Sequence, residues 1–309
     1  MIAAAAVRDA AAALQGVAVR TPLLSVAELG VHLKLENLQP VGAFKLRGAY
    51  NAIRRLSPDA RRGGVITYSS GNHGQAVAYA ARHFGVRAVI VMPETAPDVK
   101  VAGVKQWGGE VVFAGRTSED RRREAEAIAA ADGLAIVPPF DHADIVAGQA
   151  TVGLEIAAQC PEVATVVVPV GGGGLISGVV AGLAAAGSRA MVWGVEPVGA
   201  PKLHRSLAAG APVRLERTAS IADGLITLTV GQLPFAVLRE HRGQVGGVVL
   251  VDDDSIREAV HFLYRRCKLA VEPSGAATTA AVRSGALRPS GVTVLIVSGG
   301  NVDPALLED

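Results

Sequence analysis

Short runs of β-branched and aliphatic residues alternate with Ala-rich helical segments along most of the chain. Residues 65–68, 87–92, 110–114, 134–137, 165–169, 191–195, 248–251 and 293–297 read as strands, with helices such as 72–84, 119–131, 175–186 and 253–266 between them. Strands that are apolar throughout need cover on both faces, and the helices between them supply it, so the pattern predicts an α/β fold built on open parallel sheets. An earlier run, 32–36, alternates polar and apolar residues and is expected to be an exposed or edge strand. Ser-Pro and Gly-Gly punctuation near 57–64 and a second break near 138–141 suggest two lobes: a larger one from 1–57 plus 143–309, and a smaller inserted one from 64–141.

Composition narrows the classes. With 309 residues, 50% hydrophobic and 19% charged, the chain can bury a sizeable core and is not a disordered one. A formal charge of +2 argues against nucleic acid as the main partner. Two cysteines in no paired spacing offer no disulfide framework or zinc knuckle, and the expected home is a reducing cytoplasm. Residues 163–188 carry no charge and mimic a membrane span, with Gly174, Gly178 and Gly182 in GxxxG spacing. Pro169 and four consecutive glycines would sit inside that span, so strand, loop and helix is the better reading and no membrane partner is expected.

Three strand ends collect unusual residues, two of them opening into helices. At Gly171, Gly172, Gly173 and Gly174 a buried strand enters a glycine loop and then a helix, the makings of a phosphate cradle from converging backbone N–H groups and a helix N-terminus. Ser69, Ser70, Gly71, Asn72, His73 and Gly74 gather hydroxyls and amides at the carboxyl end of another strand, where open α/β sheets bind ligands. Ser298, Gly299, Gly300 and Asn301 follow the last strand. Earlier, Phe44 precedes Lys45 at the start of an apolar helical run, where a desolvated amine becomes a nucleophile toward carbonyls. Glu196 ends the strand about 20 residues beyond the glycines, as the ribose acid of a dinucleotide-binding oxidoreductase would. The GxGxxG spacing fails, however, with Ile176 or Ser177 in the third glycine position.

Phe44-Lys45-Leu46-Arg47-Gly48, residues 69–74, the four glycines and residues 298–301, in that order and spacing, resemble the fold-type II pyridoxal-phosphate enzymes of the threonine/serine dehydratase and serine racemase branch. The likeness covers essentially the whole chain and includes Pro138-Pro139-Phe140-Asp141, Ala147-Gly148-Gln149 and Ala222-Asp223-Gly224. It implies the two-lobed tryptophan synthase beta-like fold, with pyridoxal 5'-phosphate held by Lys45 as a Schiff base. Phe44 would pack on the ring, Asn72 bond its phenolic oxygen, the four glycines bind the phosphate and Ser298 face the pyridine nitrogen. Ser69, Ser70, Asn72 and the His73 backbone would hold the substrate, with Lys45 and Ser70 catalytic. The implied reaction is dehydration and deamination of L-threonine and L-serine, by an enzyme expected to be a homodimer. Serine racemase and threo-3-hydroxyaspartate dehydratase are the alternatives, since Ser70 adds a hydroxyl on the face opposite Lys45 that could reprotonate the α-carbon. The racemase-like cation site would use Glu196, a carbonyl near Ala200 and a second acid where this chain has Lys202, so no metal is expected, and the Lys202 ammonium is expected to reach Glu196 in its place. The chain ends soon after Asn301, and isoleucine feedback is not expected.

Overall fold

The computed structural model describes residues 1–69, 71–96, 98–115 and 117–308. The chain opens with α1 (Ala4–Ala13), β1 (Leu23–Val26), β2 (Val31–Leu35), α2 (Lys45–Arg55) and α3 (Pro58–Gly63). Next come β3 (Val65–Tyr68), α4 (Asn72–Phe84), β4 (Ala88–Met92), α5 (Asp98–Gln106), β5 (Glu110–Phe113), α6 (Ser118–Asp132) and β6 (Ala135–Ile136). The remainder holds α7 (Ala143–Gln159), β7 (Thr165–Pro169), α8 (Gly174–Ala185), β8 (Met191–Pro197), α9 (Lys202–Ala209), α10 (Gln232–Glu240), β9 (Val245–Val251), α11 (Asp253–Cys267), α12 (Pro273–Arg283) and β10 (Thr293–Val297).

These strands form two sheets. One has six strands in the order β1-β2-β10-β7-β8-β9, the other four in the order β5-β4-β3-β6. Every neighbouring pair is parallel except β1 with β2. The α/β architecture follows from composition: β4, β7 and β10 are buried along their whole length, as sheets covered on both faces require.

The edge expectation for 32–36 is overturned. β2 lies inside the six-stranded sheet between β1 and β10, and β1, the antiparallel hairpin partner, takes the edge. The polar residue that misled the pattern is Lys34, which is fully buried and pairs with Glu155 of α7 at 2.6 Å. A polar position in an alternating strand is exposed only when no counter-charge meets it inside.

The uncharged stretch divides into β7, the glycine loop and α8. Its small residues serve helix packing within the protein. A Cβ at Gly178 would stand 2.7 Å from the Gln149 Cβ, and one at Gly182 would collide with the Ala150 carbonyl, so α7 and α8 approach as closely as glycine allows. Among the described residues no helix is long and apolar enough to cross a membrane.

Candidate active site

In both sheets the motif-bearing loops leave the carboxyl ends of parallel strands: residues 69 and 71–74 after β3, 171–174 after β7, 298–301 after β10. The segment before α2 is drawn to the last of these by backbone pairing. Phe44 N–H donates to the Ser298 carbonyl at 3.1 Å, Gly300 N–H to Gly42 at 2.8 Å, and Asn301 Nδ2 to the Val41 carbonyl at 2.9 Å. Residues more than 250 positions apart thus place Phe44, Lys45 and Ser298 side by side.

Lys45 opens α2. Its Nζ donates to the Pro139 carbonyl at 2.7 Å and lies 5.3 Å from the centre of the Phe44 ring. Lys45 keeps some solvent contact as a residue, but its amine is enclosed and no acid pairs with it among the described residues, so burial pushes it down to about 8. A neutral fraction of about one-tenth at pH 7, far above that of an ordinary lysine, makes this amine nucleophilic and basic. The helix that carries it is anchored by Arg47, fully buried, whose guanidinium forks onto Glu36 with two 2.8 Å bonds and reaches Glu155 at 2.6 Å.

The glycine loop is walled closely. A Cβ at Gly172 would run into the Phe140 ring, one at Gly171 would meet the Gly224 carbonyl at 2.6 Å, and one at Gly173 would meet Val230 at 2.6 Å. Gly173 also sits at φ +90° as the residue preceding α8, a conformation that favours glycine. The first turn of α8 leaves its backbone N–H groups without intrahelical acceptors, so loop and helix end together suit a phosphate.

On the side of the four-stranded sheet, Ser69 Oγ accepts from the Gly71 N–H at 3.2 Å, and α4 begins at Asn72. Asn72 Nδ2 donates to Glu272, while its Oδ1 accepts from Asn301 Nδ2 at 2.9 Å. His73 is buried with Nε2 3.1 Å from the Val137 carbonyl, and it is pushed down to about 3, first by burial and then by the Lys45 charge. It stays neutral near pH 7, with Nε2 as donor. Ser70 lies outside the described residues.

Sequence reasoning missed Lys100 and Glu272. Glu272 is buried immediately before α12, and burial, with the Asp223 charge adding, pushes its carboxyl up to about 7 against the opposing Lys100 charge. Nothing in its local sequence sets it apart, because its neighbours arrive through the fold.

Behind the glycine loop, the fully buried Lys202 Nζ donates toward four oxygens: Glu196 Oε1 at 2.9 Å and the carbonyls of Val170, Leu225 and Ala200 at 2.9, 2.8 and 3.2 Å. Glu196 also accepts the Leu203 and His204 N–H groups at 2.9 Å each. Among the described residues no group of three or more His, Cys, Asp or Glu is placed to hold a metal.

A buried, partly neutral amine beside an aromatic ring and hydrogen-bonded to Pro139, whose neighbour Phe140 walls the glycine loop, fits a phosphate-bearing aldehyde cofactor. The family described as pyridoxal-phosphate dependent enzyme matches residues 14–299. The chain belongs to this family. Among its relatives is the L-threo-3-hydroxyaspartate ammonia-lyase of Pseudomonas sp, 39% identical over 95% of this chain and 93% of that protein. The serine racemase of Oryza sativa subsp. indica is likewise 39% identical, over 97% and 91%. The structure of the processed form of threonine deaminase isoform 2 from Solanum lycopersicum matches with a TM-score of 0.89 at 37% identity, covering 98% of this chain and 90% of that one. The cofactor of this pyridoxal-phosphate dependent enzyme is therefore pyridoxal 5'-phosphate, and the two-sheet α/β architecture is that of its fold-type II neighbours.

Proposed function

We propose that this enzyme removes water from L-threonine and L-serine and releases the corresponding 2-oxo acid and ammonia. Lys45 would hold the cofactor through its ε-amine, the amides of Gly171, Gly172, Gly173 and Gly174 its phosphate, Phe44 one ring face, Asn72 its phenolic oxygen and Ser298 its ring nitrogen. When bound, pyridoxal phosphate supplies an electron-accepting ring that stabilises negative charge at the substrate α-carbon. Ser69, Asn72 and the His73 backbone N–H hold the substrate carboxylate, and the Lys45 amine takes the α-proton. The β-hydroxyl leaves with a proton as water. The released enamine regains one water on hydrolysis, so threonine gives 2-oxobutyrate plus ammonia in balance. Approach of the lobes keeps solvent from the reacting carbon.

The observation that carries this reading over the racemase is the Lys202 ammonium inside its ring of oxygens. It takes the place where the racemase-like resemblance requires a second acid and a divalent cation. Serine racemisation or hydroxyaspartate lyase activity is the second reading, supported by the names of the relatives and by the Ser70 hydroxyl. Incubating the loaded enzyme with L-threonine, L-serine and L-threo-3-hydroxyaspartate, with 2-oxo acid and D-serine measured together, separates them. Rapid 2-oxobutyrate without D-serine is expected. Appreciable D-serine, or strong preference for hydroxyaspartate, moves the enzyme to the second reading. In that case Ser70→Ala should remove inversion while sparing elimination.

A further inference from the structure

A cluster of charged side chains lies across the cleft, beside the residues assigned above. Lys100 comes from α5, on the four-stranded side, and is 6% exposed. Its Nζ pairs with Asp223 and stands 3.7 Å from Glu272 Oε2, both on the six-stranded side. The other Glu272 oxygen accepts from Asn72, and among the described residues Oε2 has no hydrogen-bond donor. One cation therefore faces two acids on the opposite lobe.

The neighbours of this cluster are the loops of the site. A Cβ at Gly71 would overlap the Lys100 stem, with Cγ at 3.1 Å and Cε at 3.2 Å, so the backbone at Gly71, just before α4, rests on that side chain. The turn bearing Asp223 is fixed to α12 by the Gly224 N–H bonding Ser274 Oγ at 2.9 Å. On its other side the same turn meets the cradle, where a Cβ at Gly171 would lie 2.6 Å from the Gly224 carbonyl. A Cβ at Gly299, next to Ser298, would strike Glu272. Lys100 thus touches the backbone at Gly71 with its stem and, through its charge, the turn that walls the glycine loop.

We infer that Lys100 is a positioning residue that locks the two lobes over the cleft, neutralising Asp223 and Glu272 so that Glu272 keeps its bond to Asn72. Without that cation the buried Glu272 carboxyl faces the part-exposed Asp223 carboxyl with no other counter-charge among the described residues, and repulsion between them favours separation of the lobes. Lys100 is not among the residues assigned above to the cofactor or the substrate. Its effect passes through Asn72 and the 222–225 turn. The inference rests on the reading of this cleft as the reaction site.

The test compares cofactor-loaded wild type with Lys100→Met, Lys100→Arg and Asp223→Asn, using amide hydrogen exchange resolved by peptide, visible absorbance for cofactor content, and steady-state kinetics. Lys100→Met should speed exchange at least tenfold in residues 98–106 and 222–225 while other helices stay within twofold, and should raise KM more than it lowers kcat. Lys100→Arg should return both to within about threefold of wild type, and Asp223→Asn should move both in the direction of Lys100→Met. Exchange within twofold of wild type in Lys100→Met, equal defects in Lys100→Arg, or acceleration spread over every helix overturns the inference. If Lys100→Met does not fold, Asp223→Asn decides, and unchanged exchange with unchanged KM rejects the lock. Absence of turnover with any hydroxy-amino acid would remove the proposed reaction, while the exchange data would still decide the lock.

Discussion

Two lysines are buried close to the glycine loop, and their surroundings give the same side chain opposite uses. Among the described residues Lys45 has one carbonyl acceptor and no acid, and burial pushes it down to about 8. Lys202 is as deeply buried, but Glu196 and three carbonyls surround it with acceptors. Burial lowers its pKa too, with Glu196 opposing. Every neighbouring oxygen can only accept, so the nitrogen is matched as a donor and works as an ammonium. The difference teaches that depth alone does not make a reactive lysine. Withholding the counter-charge does.

The largest effect should come from removing the reactive member. On the proposed assignment Lys45→Ala would take away both the attachment point for the cofactor and the base, and 2-oxo acid formation should fall by about 1000-fold or more. Borohydride treatment of the loaded protein followed by peptide mass analysis should fix cofactor mass on Lys45 in wild type and on no lysine in the variant. Near wild-type turnover would refute the assignment.

Removing the fixed cation should damage a different property. Lys202→Met leaves Glu196 buried without its partner, and breaking such a pair costs about 3–5 kcal/mol, read as a lower urea midpoint. The Val170 carbonyl immediately precedes the glycine loop, so retention of the phosphate should weaken as well. Lys202→Ala leaves room as well as charge, and ammonium or potassium ions should restore part of the lost cofactor affinity there and nothing in wild type. Chelators should leave wild type unchanged. A stoichiometric divalent cation in the purified enzyme would contradict the role given to Lys202.

Much of this arrangement was legible before any coordinates. The strands 65–68, 165–169 and 293–297 coincide with β3, β7 and β10, because each is a short apolar run bounded by glycine, proline or polar loop residues. The motifs were legible for the same reason: glycine runs and strand-end polar residues are local signals. What stayed hidden depends on long-range pairing. β1 is four residues long with no alternation to announce it, and β2 looked like an edge because Lys34 meets Glu155 from 121 positions away. Lys100, Asp223 and Glu272 come from three separate segments, and only the closing of one sheet's loops over the other's brings them together.

The smallest effect needs no substitution and compares the two lysines directly. Capture of a carbonyl requires a neutral amine, and at pH 7 a group with a pKa of about 8 is roughly one-tenth neutral. The rate at which cofactor-free protein takes up pyridoxal phosphate should therefore rise about tenfold between pH 7 and pH 9 and then level off, whereas an unshifted lysine would keep rising beyond pH 10. The linked stability has the same sign. Because the folded value lies below the unfolded one, folding pushes protons off Lys45, and its contribution is present at high pH and lost as pH falls through about 8. Acetic anhydride at pH 8 separates the pair, since it acylates neutral amines. Peptide masses should show Lys45 modified early in the cofactor-free protein and Lys202 untouched while the fold persists. Equal labelling of both would mean that the ring of oxygens does not hold Lys202 as an ammonium, and the contrast between the two sites would fail with it.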